Sequence, residues 1–277
     1  MKLSFKDIKS KLSQSRTSSQ DLRTDTSFPY FSSSPLNVSD FQLTSSLALI
    51  PDYIPPELES SILEQGVYSQ PLHKWTTLRN RRLQMWGGDV TPSGLESQQK
   101  LPNWLDIFSQ RLVDEGIFNQ EHRPNHVLIN EYQKGEGIMP HTDGPLYYPL
   151  VAILSLGSEC LFQLYKLENG VRTPDFAVYI PRRSLLLFWG DTYIHKLHAI
   201  EFKGNDYLYG CNCGAVYSET ADGVRTRVVN CPEMQDSERE VEGSCLECGG
   251  KLRCVYILYR ETRVSFTIRH VTEYHDS

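Results

Sequence analysis

Apolar and polar residues change rhythm along this chain near residue 125. Before that point the apolar positions keep helical spacing. Pro55-Pro56-Glu57 opens one predicted helix that runs to about Gln65, with Gly66 as its stop. Trp104, Leu105, Phe108, Leu112 and Val113 mark a second over Leu101–Glu115, ended by Gly116. Leu47–Ile50, closed by Pro51, reads as a strand. After residue 125 come short β-branched and aromatic runs separated by Gly, Pro and Asp. They are Val127–Tyr132, Val151–Leu156, Cys160–Tyr165, Phe176–Ile180, Ser184–Trp189, Val255–Tyr259 and Val264–Ile268. Helices first and strands after, without alternation, predict a mainly β sandwich or barrel rather than a doubly wound parallel sheet.

Two segments break this rhythm. Residues 1–40 hold eleven Ser, interrupted by Pro29 and Pro35, and read as a mobile leader with one short helix around Phe5–Leu12. Asp7, Asp21 and Asp25 argue against a transit peptide. Gly204–Cys254 is polar, carries six of the seven Cys, and reads as an insertion between two late strands. The expected organisation is therefore a leader (1–40), an N-terminal helical region (41–122) and a barrel (123–277) with an insertion (204–254).

Composition changes this picture little. Hydrophobic residues are 39% and charged residues 22% of 277, an ordinary globular balance. There are 28 Lys+Arg against 34 Asp+Glu, a net charge of −6, which excludes a broadly basic nucleic-acid-binding surface. Six acids against one Arg between Glu233 and Glu247 assign much of that acidity to the insertion. Apolar runs fall short of the ~18 residues of a membrane span. The odd Cys count without a secretion signal points to a reduced compartment, cytoplasm and nucleus, with thiols free or metal-bound.

The sharpest chemistry is His141-Thr142-Asp143, after the turn Gly135–Pro140. On extended backbone, residues two apart share a face, so an imidazole and a carboxylate project together. One further His would complete a two-His, one-carboxylate triad that leaves positions open on Fe(II). Either His195 or His198 could supply it; His198 sits in an apolar strand, while His195 lies nearer a turn. Arg263, Ser265, Thr267 and Arg269 share one face of a late strand, opposite Val264, Phe266 and Ile268. Inside a barrel such a face needs an anion; on an edge strand it would simply be solvated. Asn130 and Tyr132 likewise share a face and offer an amide and a phenol.

Taken in order, Asn130-x-Tyr132, His141-Thr142-Asp143, His198 and Arg263-x5-Arg269 resemble the AlkB family of Fe(II)/2-oxoglutarate-dependent dioxygenases, most closely a eukaryotic subgroup. The resemblance spans about Leu47 to Thr272, excluding the insertion. It implies a double-stranded β-helix, or jelly-roll, barrel preceded by helices and a nucleotide-recognition lid. It further implies Fe(II) on His141, Asp143 and His198, and the distal carboxylate of 2-oxoglutarate on Arg263 and Tyr132. Asn130 and Arg269 would lie toward its other end or the substrate; Ser265, counted with the 2-oxoglutarate-binding residues, departs from the family pattern, since the bacterial member has Asn there. In the lid, Lys74-Trp75-Thr76-Thr77-Leu78 resembles the segment whose Trp stacks on the target base; Arg79, Arg81, Arg82 and Trp86 follow it. A solvated basic face with a core-anchored Trp is the alternative. The implied activity is oxidative demethylation of N-alkylated, single-stranded RNA or DNA; the sequence is silent on oligomeric state, and a monomer is assumed. A 2-oxoglutarate oxygenase of protein or small molecules would use the same iron and 2-oxoglutarate residues; a weakly active nucleic-acid-binding module would keep the barrel and hold RNA with the Arg79–Arg82 patch and the Cys-rich insertion. The departure from the family is the separation of sixty-five residues from His198 to Arg263. There Cys211-x-Cys213 and Cys245-x2-Cys248 have partial zinc-ribbon character, against a disordered loop with free thiols.

Overall fold

The computed structural model describes residues 35–231 and 240–272. The leader and its expected short helix, and residues 232–239 of the insertion, lie outside them. Two short strands, β1 (Gln42–Thr44) and β2 (Leu47–Ile50), come first. Helix α1 (Pro56–Ser61) starts at the second of two prolines and runs into a π-helical turn, Ile62–Val67. Gly66 therefore does not stop this helix. It sits inside the turn because Trp104 packs on it: a Cβ there would lie 2.7 Å from the Trp104 ring. Four short strands follow: β3 (Thr76–Leu78), β4 (Arg81–Trp86), β5 (Asp89–Thr91) and β6 (Gly94–Glu96). Helix α2 (Asn103–Asp114) occupies the second predicted position, and Gly116 leaves it with φ +75°.

The β half begins with β7 (His126–Tyr132), β8 (Ile138–His141), β9 (Leu150–Leu156), β10 (Cys160–Glu168) and β11 (Val171–Ile180). Next are β12 (Leu185–Trp189), the short helix α3 (Gly190–His195) and β13 (Lys196–Ile200). The insertion supplies β14 (Asn205–Cys211), β15 (Val216–Glu219), β16 (Arg225–Val228), β17 (Glu240–Ser244) and β18 (Lys251–Tyr259). β19 (Arg263–Arg269) closes the fold.

Apart from β5 and β6, which pair only with each other, these strands form two facing sheets, a jelly-roll barrel. One has the order β1-β2-β12-β9-β19-β7-β4-β3, the other β17-β18-β14-β15-β16-β11-β10-β13-β8. Strands from the N-terminal region thus extend the first sheet, while the insertion extends the second. Among its described residues the insertion is ordered sheet, not a loop: β16 runs parallel to β11, and β14 pairs with β18 over seven registered positions. Val151, Ile153, Phe162, Leu164, Val178, Ile180, Leu186 and Phe188 fill the space between the sheets. Burial of that apolar area is the main stabilising contribution. Helix α2 covers the outer face of the first sheet, with Trp104 and Phe108 edge-on to Phe266 at 5.9 and 6.2 Å.

Candidate active site

The pleat of β19 divides its residues as the alternation predicts. Phe266 turns outward under α2, while Arg263, Ser265, Thr267 and Arg269 line a cavity of about 270 Å³ between the sheets. β19 lies between β9 and β7 in the middle of its sheet, so its polar face is not an exposed edge. All four polar residues are buried. Beside them, β7 presents Asn130 and Tyr132 to the same cavity.

The opposite sheet contributes the histidines. β8 and β13 pair with His141 directly across from His198, and the two rings are 4.3 Å apart. Asp143 follows two residues beyond His141. The ligating atoms of His141, Asp143 and His198 lie within 4.8 Å of one another. His195, by contrast, is exposed at the end of α3. His141 Nδ1 donates to the Met139 carbonyl at 2.8 Å, which leaves Nε2 with a free lone pair. His198 packs flat on Phe162 at 5.2 Å. Burial lowers its pKa to about 4, offset in part by Asp143, so the ring is neutral at physiological pH.

Asp143 supports the reading of a cation site. Arg269 Nη1 donates to its Oδ1 at 2.7 Å, while its buried Oδ2 has no hydrogen-bond partner. A buried carboxylate oxygen left without a donor, beside two imidazoles, suits a borderline divalent metal with open coordination positions. The chemistry of the donor set therefore fits Fe(II).

Arg263 is the second unsatisfied group. Its Nη2 donates to Ser155 Oγ at 2.8 Å, but its buried Nε has no partner. A guanidinium held this way can grip a carboxylate. Tyr132 lies beside it, 5.8 Å from ring centre to guanidinium; burial raises the phenol's pKa, so it stays a donor. Ser155 was not anticipated, although it is the lone polar residue in the apolar run Val151–Leu156. Tyr147 was also missed: its ring stacks under the Arg269 guanidinium at 3.9 Å. Tyr193 pins the following loop, donating to the Gly144 carbonyl at 2.5 Å.

The lid residues separate. Arg81 lines the cavity and donates to Asn130 Oδ1 at 3.1 Å. Arg82, the next residue along the pleat, faces the other way. It forms a bidentate pair with Glu131 at 2.9 and 3.0 Å and lies over the Trp75 ring at 4.0 Å. Trp86 sits on that outer face too, edge-on to Trp104 at 5.7 Å, with Lys74 over its ring. Arg79 is exposed in the turn before β4.

Residues 46–269 match the 2OG-Fe(II) oxygenase superfamily. The chain belongs to that superfamily. It is 37% identical over 231 residues to the probable RNA/DNA demethylase ALKBH6 of Danio rerio, covering 80% of this chain and 84% of that protein. This puts the oxygenase among the AlkB homologues. The tRNA (carboxymethyluridine(34)-5-O)-methyltransferase alkbh8 of Xenopus tropicalis is 26% identical over 83% of this chain, which spans 32% of that protein's length. Among solved structures, OsALKBH1 aligns with a TM-score of 0.46 at 14% identity, over 83% of this chain and all of that one. The protein is an Fe(II)/2-oxoglutarate-dependent dioxygenase with a jelly-roll fold, and its family implies both Fe(II) and 2-oxoglutarate.

Proposed function

We propose that this oxygenase oxidatively removes N-methyl or related N-alkyl groups from single-stranded nucleic acid. The observation that carries the reading is the convergence of His141, Asp143 and His198 on the cavity that also holds Arg263. The name of the Danio rerio relative points the same way.

In this reading His141 Nε2, Asp143 Oδ2 and a His198 ring nitrogen hold Fe(II), and Arg263 receives the distal carboxylate of 2-oxoglutarate. Bound iron with 2-oxoglutarate and O2 supplies the oxidation of a carbon attached to substrate nitrogen. For an N-methyl group the balance is one O2 and one 2-oxoglutarate consumed, with succinate, CO2, formaldehyde and the N–H base formed. Arg269 keeps Asp143 turned toward the histidines, and Ser155 keeps the Arg263 guanidinium turned into the cavity. Ile153, Phe162 and Ile200 give the cavity an apolar lining that limits water. Arg81, braced by Asn130, is the cation placed to meet a base or phosphate at the cavity. Trp75, engaged by Arg82, serves the frame rather than the base.

Binding of a single-stranded oligonucleotide, titrated at several salt concentrations, tests the substrate class. Affinity should fall steeply with salt, as phosphate contacts require, and Arg81→Ala should weaken binding by ~1–3 kcal/mol. Absence of binding at low salt would direct the search to protein or small-molecule substrates.

A further inference from the structure

Far along the second sheet from the His-Asp site, four cysteines close on one point. Cys211 and Cys213 sit on the β14–β15 turn, and Cys245 and Cys248 on the β17–β18 turn. All four sulfurs lie within 4.8 Å of one another. Cys211 and Cys248 are 3.4 Å apart and Cys213 and Cys245 3.6 Å. These separations are well beyond the ~2.05 Å of a disulfide. They approach the ~3.8 Å edge of a sulfur tetrahedron drawn with Zn–S bonds of ~2.3 Å.

The two turns are shaped around the sulfurs. Each pair is followed by a glycine in the left-handed region, Gly214 at φ +87° and Gly249 at φ +70°. Gly250 N–H donates to Cys248 Sγ at 3.4 Å, and a Cβ at Gly250 would crowd the Cys248 and Cys211 sulfurs at 3.2 and 3.3 Å. The Tyr217 hydroxyl lies 3.4 Å from Cys245 Sγ, close enough to donate to a thiolate. The other cysteines stand apart: Cys231 is exposed, Cys160 and Cys254 are buried, and none joins the group.

We infer that Cys211, Cys213, Cys245 and Cys248 form a structural Zn(II) site that clasps the two turns of the insertion together. Four protein ligands leave no position for substrate, so the site is closed and non-catalytic. A reason to need it is visible behind the turns: the local core is four buried residues, Ala215, Tyr217, Cys245 and Leu252, with the partly buried Tyr209, Cys211 and Val241 packed against them. So small a cluster supplies little burial energy, and metal binding supplies folding free energy directly. The site holds the outer end of the β14–β18 extension, not the barrel.

The test uses the full chain, purified under reducing conditions without chelator. Asp143→Ala is introduced so that the triad does not retain metal. Elemental analysis should find one Zn(II) per chain, falling below a tenth of that in the same chain carrying Cys245→Ser and Cys248→Ser. Wild-type protein reconstituted with Co(II) should show the visible absorption of a tetrahedral tetrathiolate, which needs no variant to fold. Chelation should speed proteolysis within residues 204–254 while the barrel fragments persist. No zinc in the reduced Asp143→Ala chain would overturn the site. So would zinc undiminished by the double serine substitution, a Co(II) spectrum without sulfur ligands, or four cysteines found in two disulfides.

Discussion

Asp143 is held through one oxygen by Arg269, while its other oxygen has no donor and stays available beside the histidine pair. This arrangement gives two buried arginines separate duties. Removing the Arg269 contact should loosen the iron ligand, lowering Fe(II) affinity ~10–100-fold, the usual loss when a ligand's supporting hydrogen bond is removed. Arg263→Ala should leave iron binding near wild type and weaken 2-oxoglutarate by about 2 kcal/mol or more, roughly thirtyfold. Anaerobic titrations of each ligand against each variant check this; a shift of the same ligand by both variants would contradict it. His126 gives a pH prediction. It is buried, neither ring nitrogen has a hydrogen-bond partner, and burial, helped by Arg269, lowers its pKa to about 3. The unfolded chain binds a proton there near pH 6.5, and the folded chain resists it until about pH 3. Stability should therefore fall as pH drops through 6.5, by at most ~1.4 kcal/mol per unit from this group. Urea unfolding of the metal-free protein from pH 7.5 to 4.5 should show a shallower fall in His126→Gln. His141-x-Asp143 and the polar face of β19 were legible from their period-two spacing, whereas His198 over His195 and the carboxylate role of Arg263 rested on the family resemblance. Arg81 and Arg82 were read as one basic patch; the same pleat sends them to opposite faces.

At the scale of elements, strongly patterned segments were readable and weakly patterned ones were not. β7, β9, β12 and β19 are buried on both faces, so their apolar runs are conspicuous, and the observed bounds differ from the expected ones by one or two residues. β14 to β17 are short or polar on one side and carry too little apolar pattern to stand out. Gly66 shows a different limit. A glycine at the end of a helical pattern reads as a stop, yet here it makes room for Trp104, a contact between residues far apart in sequence. Gly66→Ala should destabilise the fold by ~1–3 kcal/mol through overpacking, with Trp fluorescence altered by displacement of Trp104. Wild-type stability in urea would show that the π-helical turn has room to spare. Glu59 ties the same region to the barrel: its buried carboxylate accepts from Gly157 N–H at 2.7 Å and pairs with Arg182 at 2.6 Å. Neither contact was readable from local pattern.

For the whole molecule, the net charge of −6 describes no single surface. Acids concentrate in the insertion, while the cavity holds Arg81, Arg263 and Arg269, two of them buried. A nucleic-acid strand would thus be gripped locally at the cavity rather than along a broadly basic surface. The insertion's sheet lies beyond β11, so its zinc clasp and the iron triad should be lost independently of each other. The most direct measurement follows succinate and formaldehyde together, with Fe(II), 2-oxoglutarate, O2 and an N-methylated single-stranded oligonucleotide. The account predicts formaldehyde in a one-to-one ratio with oligonucleotide-dependent succinate, and neither product from His141→Ala. Succinate release that ignores the oligonucleotide, without formaldehyde, would contradict it.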